Sequence, residues 1–157
     1  LASSAASDVY KRQAKNRNIR MITDFTHFLS SMGIVPKDTT DETMSFEYNG
    51  LSYLFVSDKS DPYYIRLILP NIENINNADE IDVYKIINQY NNKFKAVKMS
   101  VVENSIWLSI EQFLYSGENS NNLFFRLMKI LEAVITEYRI STRTLSRTDI
   151  TNIPKQE

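Results

Sequence analysis

The chain lacks cysteine altogether and has only one histidine among its 157 residues. Without cysteine, the protein has no disulfide, no thiol nucleophile and no cysteine-ligated metal site. A single histidine also excludes a histidine-rich metal site. We therefore predict neither a bound metal ion nor any other cofactor.

Glycine is almost as scarce, with three in the whole chain. Gly33, Gly50 and Gly117 each stand where a helix end, a hairpin or a loop requires one. A Walker loop or a dinucleotide-binding fingerprint needs several closely spaced glycines that let the backbone approach a phosphate. The sequence therefore excludes both motifs.

Side chains that could carry out catalysis do not form a recognisable pattern. A Ser-His-Asp arrangement would have to use His27, three residues after Asp24, and no serine stands in a nucleophile context. The acidic clusters within residues 38–42 and 58–61 lack the spacing of a calcium-binding EF-hand loop. We predict no catalytic residue and a protein that is not an enzyme.

The sequence also lacks a charge imbalance and a long apolar run. Its 18 Lys and Arg residues nearly balance 19 Asp and Glu residues, which gives a net charge of −1. Nucleic-acid-binding domains usually carry a basic patch or stripe, and a membrane-spanning helix needs about 20 apolar residues. We expect neither a nucleic acid nor a membrane as a partner.

The chain begins with a Ser/Ala-rich block, SSAASDVYKRQ, at residues 3–13. This block back-translates without a gap into the adapter used in transposase-based sequencing libraries, so we interpret residues 1–13 as an adapter-derived artefact. The natural start is then either Met21 or a position upstream of the sequence. The block has none of the roughly 7–15 apolar residues that a secretory signal needs, and on that basis we expect a cytoplasmic protein.

Apolar residues after this block recur at steps of three and four, which predicts a helix that ends at Gly33. Alternating residues then predict two strands joined by a tight turn at Asn49-Gly50, a pair that tolerates the positive φ angles of a hairpin. A third alternating run, YYIRLIL, is bracketed by Pro62 and Pro70, which lack the amide donor of a central strand.

A polar, asparagine-rich connector follows and leads to a second helix within VYKIINQYNNKF. Two further strands, within KAVKMSV and SIWLSIEQFL, and a last helix complete the pattern. The final stretch of the chain is polar and has no period. We predict one α+β domain over residues 14–140 and a disordered tail over residues 141–157.

The predicted elements follow one another in the order α-β-β-β-α-β-β-α. Short links between the five strands favour one antiparallel sheet, and three amphipathic helices can cover one of its faces. We therefore predict a two-layer α+β fold.

This pattern resembles that of the YbjN-like domains, which share the fold of the type III secretion chaperones. The most characteristic piece is the second helix, with its asparagine-rich INQYNNKF stretch and the strand KAVKMSV after it. The resemblance covers residues 19–140 and implies a small, often dimeric protein that binds other polypeptides. It marks no functional residue. It also implies that KAVKMSV is an edge strand, which Lys95 and Lys98 would guard against indiscriminate pairing.

Alternation within the strands separates two faces of the predicted sheet. Ile106, Leu108 and Ile110 would point towards the helices, and the intervening residues would form the opposite face. Aromatic and arginine side chains in a polar surround are typical of protein-binding surfaces. Six residues of this opposite face form the candidate protein-binding surface: Tyr64, Arg66, Ile68, Lys98, Trp107 and Phe113. Alternatively, these residues pack on one another or under the C-terminal tail, or line a small-molecule pocket.

We predict a non-enzymatic, protein-binding domain that is chaperone-like in fold. Its expected partners are another polypeptide and a second copy of the chain, with the homodimer built on residues 83–101 or on the face that carries Trp107. The alternative is a small-molecule-binding protein, or an enzyme, with a pocket between the helices and the sheet. An enclosed cavity lined by several polar groups would favour that alternative.

Overall fold

The computed structural model describes residues 2–61, 63–114 and 120–151. Its helices and strands follow one another in this order: α1 (Ala2–Ser31), β1 (Thr43–Tyr48), β2 (Leu51–Ser57), β3 (Tyr64–Asn74), α2 (Glu80–Lys93), β4 (Val97–Val102), β5 (Ser105–Phe113) and α3 (Ser120–Thr151). The α+β class and the five-stranded antiparallel sheet predicted from the sequence are confirmed. No helix in the described part of the chain is both long and apolar enough to cross a bilayer.

The five strands are arranged side by side in the order β1-β2-β3-β5-β4, and every neighbouring pair is antiparallel. Strand β3 is therefore the central strand, with β1 and β4 at the two edges. The prediction that KAVKMSV contributes an edge strand is confirmed, because β4 is the last strand of the sheet among the described residues, with β5 as its neighbour.

Local sequence signals account for the turns and helix starts. Asn49 and Gly50 adopt φ angles of 50° and 71° between β1 and β2, as the hairpin prediction required. Asp79 caps the start of α2, since its side chain accepts hydrogen bonds from the amides of Ile81 and Asp82. These signals fix where β1, β2 and α2 begin or end.

The core lies between the helices and one face of the sheet. Phe25 of α1 stacks on Phe55 of β2 with 4.0 Å between ring centroids, and Phe124 of α3 meets Phe25 edge-on at 4.8 Å. Four residues of the apolar period predicted for the first helix are buried here: Ile22, Phe25, Phe28 and Leu29. On α3 the buried side chains include Phe124, Met128 and Ile135.

The third strand is longer than predicted. The sequence indicated an end before Pro70, but β3 continues to Asn74. Its pairing with β5 is irregular between Leu69 and Glu73, and Asn71 adopts a φ of 52° there. Proline is tolerated at such an irregularity because no ladder hydrogen bond needs its missing amide. The assignment of residues 71–74 to a polar connector is therefore wrong.

Both terminal helices extend beyond the stretches whose apolar period predicted them. Helix α3 continues to Thr151 instead of giving way to a disordered tail at residue 141. Polar side chains can remain in a helix by bonding to it locally, as Thr142 does by donating to the carbonyl of Tyr138 at 2.9 Å. Residues 2–13 belong to α1, and the side chains of residues 5–13 are exposed. Their interpretation as adapter-derived stays a prediction, and residues 152–157 lie outside the described part.

Candidate functional site

The two faces of the sheet differ in what covers them. The buried core contains apolar side chains from α1, α2 and α3 together with those of one sheet face, including Phe55, Leu67 and Leu108. The alternate residues of the same strands lie outside this core. We call this second side the open face, and it consists of Leu54, Val56, Tyr64, Arg66, Ile68, Lys98, Ser100, Trp107, Ser109, Glu111 and Phe113. All six residues predicted for the protein-binding surface lie on it.

A charged cluster occupies the middle of the open face. Glu111 Oε1 accepts a hydrogen bond from Lys98 Nζ at 2.8 Å and lies 3.4 Å from Arg66 Nε. Arg66 Nε also donates to the Tyr64 hydroxyl at 3.4 Å. The hydrogen bond from Lys98, aided by the charge of Arg66, holds the pKa of Glu111 below its usual value. Two cations therefore share one carboxylate, and Arg66 and Lys98 retain further N–H groups on the surface.

Aromatic side chains lie at the two ends of this cluster. At one end the rings of Tyr64 and Phe113 are 5.6 Å apart in a tilted arrangement, and Phe113 is 56% exposed. At the other end Trp107 is partly exposed, and its indole Nε1 donates to Asn71 Oδ1 at 3.1 Å. Because Trp107 and Phe113 are six residues apart on one strand, the aromatic ends are separated by about 20 Å.

Ile68 is the exception among the six predicted residues. Its side chain is only 3% exposed, although it lies on the open face. Ile68 is on the central strand, between Leu54 of β2 and Ser109 of β5, so neighbouring rows of side chains cover it from both sides. It forms the floor of the open face and is not accessible to a partner. The assignment of Ile68 as a contact residue is therefore wrong.

Two residues that organise the open face were not predicted as site residues. Glu111 alternates with the core residues of β5, so the sequence placed it on the correct face but not beside its cations. Its position depends on the register, which sets Glu111 opposite Arg66 and two residues along β5 from Ser109, the pairing partner of Lys98. Asn71 lies in the stretch assigned to a connector. No signal in the sequence indicated its contact with Trp107.

In the middle of each edge strand, the backbone amide and carbonyl of one residue are already hydrogen-bonded to another part of the chain. On β1, Ser45 exchanges two backbone hydrogen bonds with Lys37, at 2.6 and 2.9 Å. On β4, Met99 exchanges two hydrogen bonds with the side-chain amide of Asn91, at 2.7 and 3.0 Å. Each edge strand is therefore occupied at its middle residue by another part of the chain.

Two surface depressions lie away from the open face. A groove of about 480 Å³ between α2 and α3 is lined partly by Tyr90, Tyr138 and the ion pair of Lys93 with Glu137. A smaller depression of about 250 Å³ lies beside the start of α2 and the turn between β4 and β5. No histidine lines either depression, since His27 is exposed on α1. Within residues 2–61, 63–114 and 120–151, no three His, Asp or Glu side chains are placed to hold a metal ion.

Among the described residues, two buried tyrosines have pKa values raised well above the usual value. Burial raises the pKa of Tyr53, whose hydroxyl has no hydrogen-bond partner in the described part of the chain. Burial also raises the pKa of Tyr138, whose hydroxyl donates to the carboxylate of Glu73. Both hydroxyls therefore stay protonated near neutral pH. Neither lies on the open face.

The order of the elements and of the strands in the sheet defines an α+β domain with a five-stranded antiparallel sheet. No protein-family model and no curated protein matches the sequence. Among solved structures, the chain is similar to YbjN from E. coli, described as a candidate transcription regulator. The two share 10% sequence identity with a TM-score of 0.53, over 75% of this chain and 90% of that one. The chain therefore has a YbjN-like fold, and at this identity the likeness concerns the fold alone.

Proposed function

We propose that the protein is a non-enzymatic domain that binds a polypeptide on the open face of its sheet. The observation that carries this proposal is a sheet face outside the helix-packed core of the described residues, on which Trp107 and Phe113 flank a cluster of charged side chains. Tryptophan, tyrosine and arginine are the residues that most often dominate binding energy at protein interfaces. The open face presents all three beside polar groups.

The dimensions and hydrogen-bonding groups of the open face suit a short peptide segment. A length of about 20 Å corresponds to about six residues of extended chain. Lys98 and Arg66 are 58% and 43% exposed, whereas the carboxylate of Glu111 already accepts from Lys98. At the centre of the open face, the available hydrogen-bond donors therefore outnumber the available acceptors. We expect a segment with apolar side chains at its ends and a carboxylate or carbonyl acceptor in its middle.

The sheet edges are less suited to binding than the open face. Strand addition requires a row of unpaired backbone groups along an edge. Ser45 of β1 and Met99 of β4 already use their backbone groups within the chain. The side chains of the open face need no such rearrangement. We therefore place the partner on the face and not beside an edge strand.

The description of YbjN as a candidate transcription regulator suggests a second reading, in which the domain contacts DNA. DNA binding depends on neutralising several phosphates with clustered lysine and arginine side chains. The open face has Arg66 and Lys98, and Glu111 offsets one of these two charges. A domain of this kind fits regulation through contact with another protein better than through DNA.

The test compares proteins captured from a lysate of the source cell by the wild-type chain and by two variants. Phe113→Ser removes an exposed ring from the open face, and Tyr84→Ser removes a similarly exposed ring from α2. We expect Phe113→Ser to lose partners that Tyr84→Ser retains. The proposal is overturned if the wild-type chain captures nothing, or if both variants capture the same proteins as the wild type.

We further propose that any homodimer forms through the open face, because the centre of β4 is already occupied. Sedimentation equilibrium at micromolar concentration measures the mass of the wild-type chain. A dimer that Phe113→Ser weakens and Tyr84→Ser does not would support this arrangement. A monomer would contradict the predicted homodimer and leave the open face for a different polypeptide.

A further inference from the structure

At the centre of β4, a single side chain occupies the backbone groups that face away from the sheet. Asn91 Nδ2 donates to the carbonyl of Met99 at 3.0 Å, and the Met99 amide donates to Asn91 Oδ1 at 2.7 Å. In an antiparallel pair, the backbone groups of alternate residues point away from the partner strand. Met99, opposite Leu108, is such a residue. Asn91 therefore imitates a neighbouring strand at the middle of the edge.

The chain path explains why Asn91 reaches this position. Helix α2 ends at Lys93 and β4 begins at Val97, so only a short link separates them. Ala96 within the link adopts a φ of 62°, which turns the chain back sharply. The last turn of α2 is thereby held beside β4. Asn91 lies in that turn and faces the edge of the sheet.

We infer that Asn91 closes the β4 edge against strand addition, and that the strand it excludes is β4 of a second copy of this chain. Two β4 strands paired about a two-fold axis at Met99 would place Lys98 of one copy opposite Ser100 of the other. Val97 would then lie opposite Val101. No like charges oppose each other directly in this register, and the contact is closed because the same strand serves both copies.

Lys98 does not protect this edge in the way that the sequence suggested. Lys98 is held on the open face by its hydrogen bond to Glu111 and does not extend along the edge. The other edge differs too, because Ser45 of β1 is occupied by the backbone of Lys37 and not by a side chain. A single side-chain substitution can therefore expose the β4 edge, whereas the backbone contact on β1 would remain.

The test replaces Asn91 with alanine in the full chain. We expect Asn91→Ala to raise the self-association constant by about tenfold or more in sedimentation equilibrium. Hydrogen exchange at the Met99 amide should accelerate by about tenfold at dilutions where the chain is monomeric. The amides of Lys98 and Ser100 should keep their protection, since they point towards β5.

Three further variants make the result specific. Asn92→Ala is the matched control, because this asparagine of α2 bonds only to Asn88 among the described contacts. Asn91→Asp keeps the acceptor and loses the donor, so we expect intermediate self-association. Adding Val101→Pro to Asn91→Ala removes an outward-pointing amide of β4 and should restore the wild-type mass.

Two outcomes would overturn the inference. Unchanged exchange at Met99 in Asn91→Ala would show that the side chain does not close the edge. Faster exchange without any rise in mass at high micromolar concentration would show that a second β4 strand is not what Asn91 excludes. The same conclusion would follow if Asn92→Ala associated as strongly as Asn91→Ala.

Discussion

The covered and open faces of the sheet are built from the same strands but are stabilised by different interactions. On β5, Leu108 is fully buried beneath the helices, whereas its neighbour Trp107 is partly exposed and bonded to Asn71. The apolar side chains of the covered face pack against those of α1, α2 and α3. On the open face, the side chains form hydrogen bonds and ion pairs with one another. Consecutive residues on one strand can therefore have separate roles, one in stability and one in binding.

This difference has a physical cause. An apolar side chain removed from water stabilises the fold by about 25 cal/mol for each Å² buried. An exposed ion pair contributes at most about 1 kcal/mol, because solvent screens the charges. Substitutions on the covered face should consequently act on folding. Under the proposed function, those on the open face should act mainly on binding of the polypeptide.

The largest expected effect is on the covered face. Leu108→Ala should lower the free energy of unfolding by about 2–5 kcal/mol, because it leaves a cavity between the sheet and the helices. Urea denaturation followed by circular dichroism measures this change. A loss below about 1 kcal/mol, too small for a buried leucine, would contradict the assignment of this face as the core.

Ile68 combines features of both faces, because it is buried but lies on the open face. Ile68→Ala should cost about 2 kcal/mol, at the lower end for a buried aliphatic residue, since solvent-facing neighbours can close over the gap. The same urea titration measures it. If the loss equals that of Leu108→Ala, the open face has a core of its own.

Trp107→Ala should cost about 1 kcal/mol in the isolated chain, close to the value of the one hydrogen bond that it removes. Its effect on partner binding should be much larger, because tryptophan is a frequent binding hot spot. Unfolding and capture experiments on the same preparation separate the two effects. A stability loss greater than that of Leu108→Ala would reverse the assignment of the two faces.

The smallest effect concerns the pH dependence contributed by Glu111. Its pKa in the folded chain is lowered, chiefly by the hydrogen bond from Lys98, so the bond stabilises the fold at neutral pH. That contribution is lost as the pH falls through the folded-state pKa. Glu111→Gln should reduce stability by less than about 1 kcal/mol at pH 7, and the difference should vanish in acid.

Urea unfolding at neutral and acidic pH measures this difference. Glu103→Gln, on the exposed turn between β4 and β5, serves as the control variant. Parallel stability curves for wild type and Glu111→Gln at all pH values would show that the charged cluster does not contribute to folding.

Local patterns were sufficient to predict most of the elements. The hairpin at Asn49-Gly50 was predictable because this pair adopts positive φ angles with little strain. The two faces of β5 were predictable because side chains alternate along any strand. Such signals depend on residues that are close together in the chain. They therefore do not depend on how distant parts of the chain pack.

Other features were not predictable for the same reason. The continuation of β3 past Pro70 depends on an irregular pairing with β5, which the sequence of β3 alone does not show. The burial of Ile68 depends on the central position of its strand. The role of Asn91 depends on where α2 packs, since nothing around this residue marks it as the partner of an edge strand.

The α+β class, the antiparallel strands and the composition of each sheet face could be predicted from periodicity and turn residues, because these signals act over a few positions. Tertiary structure decided which face stays open, which cations meet Glu111 and which side chain closes β4. Those outcomes depend on strand order and register. They bring Arg66 to Glu111 and Asn71 to Trp107, pairs far apart in the chain that no local pattern links.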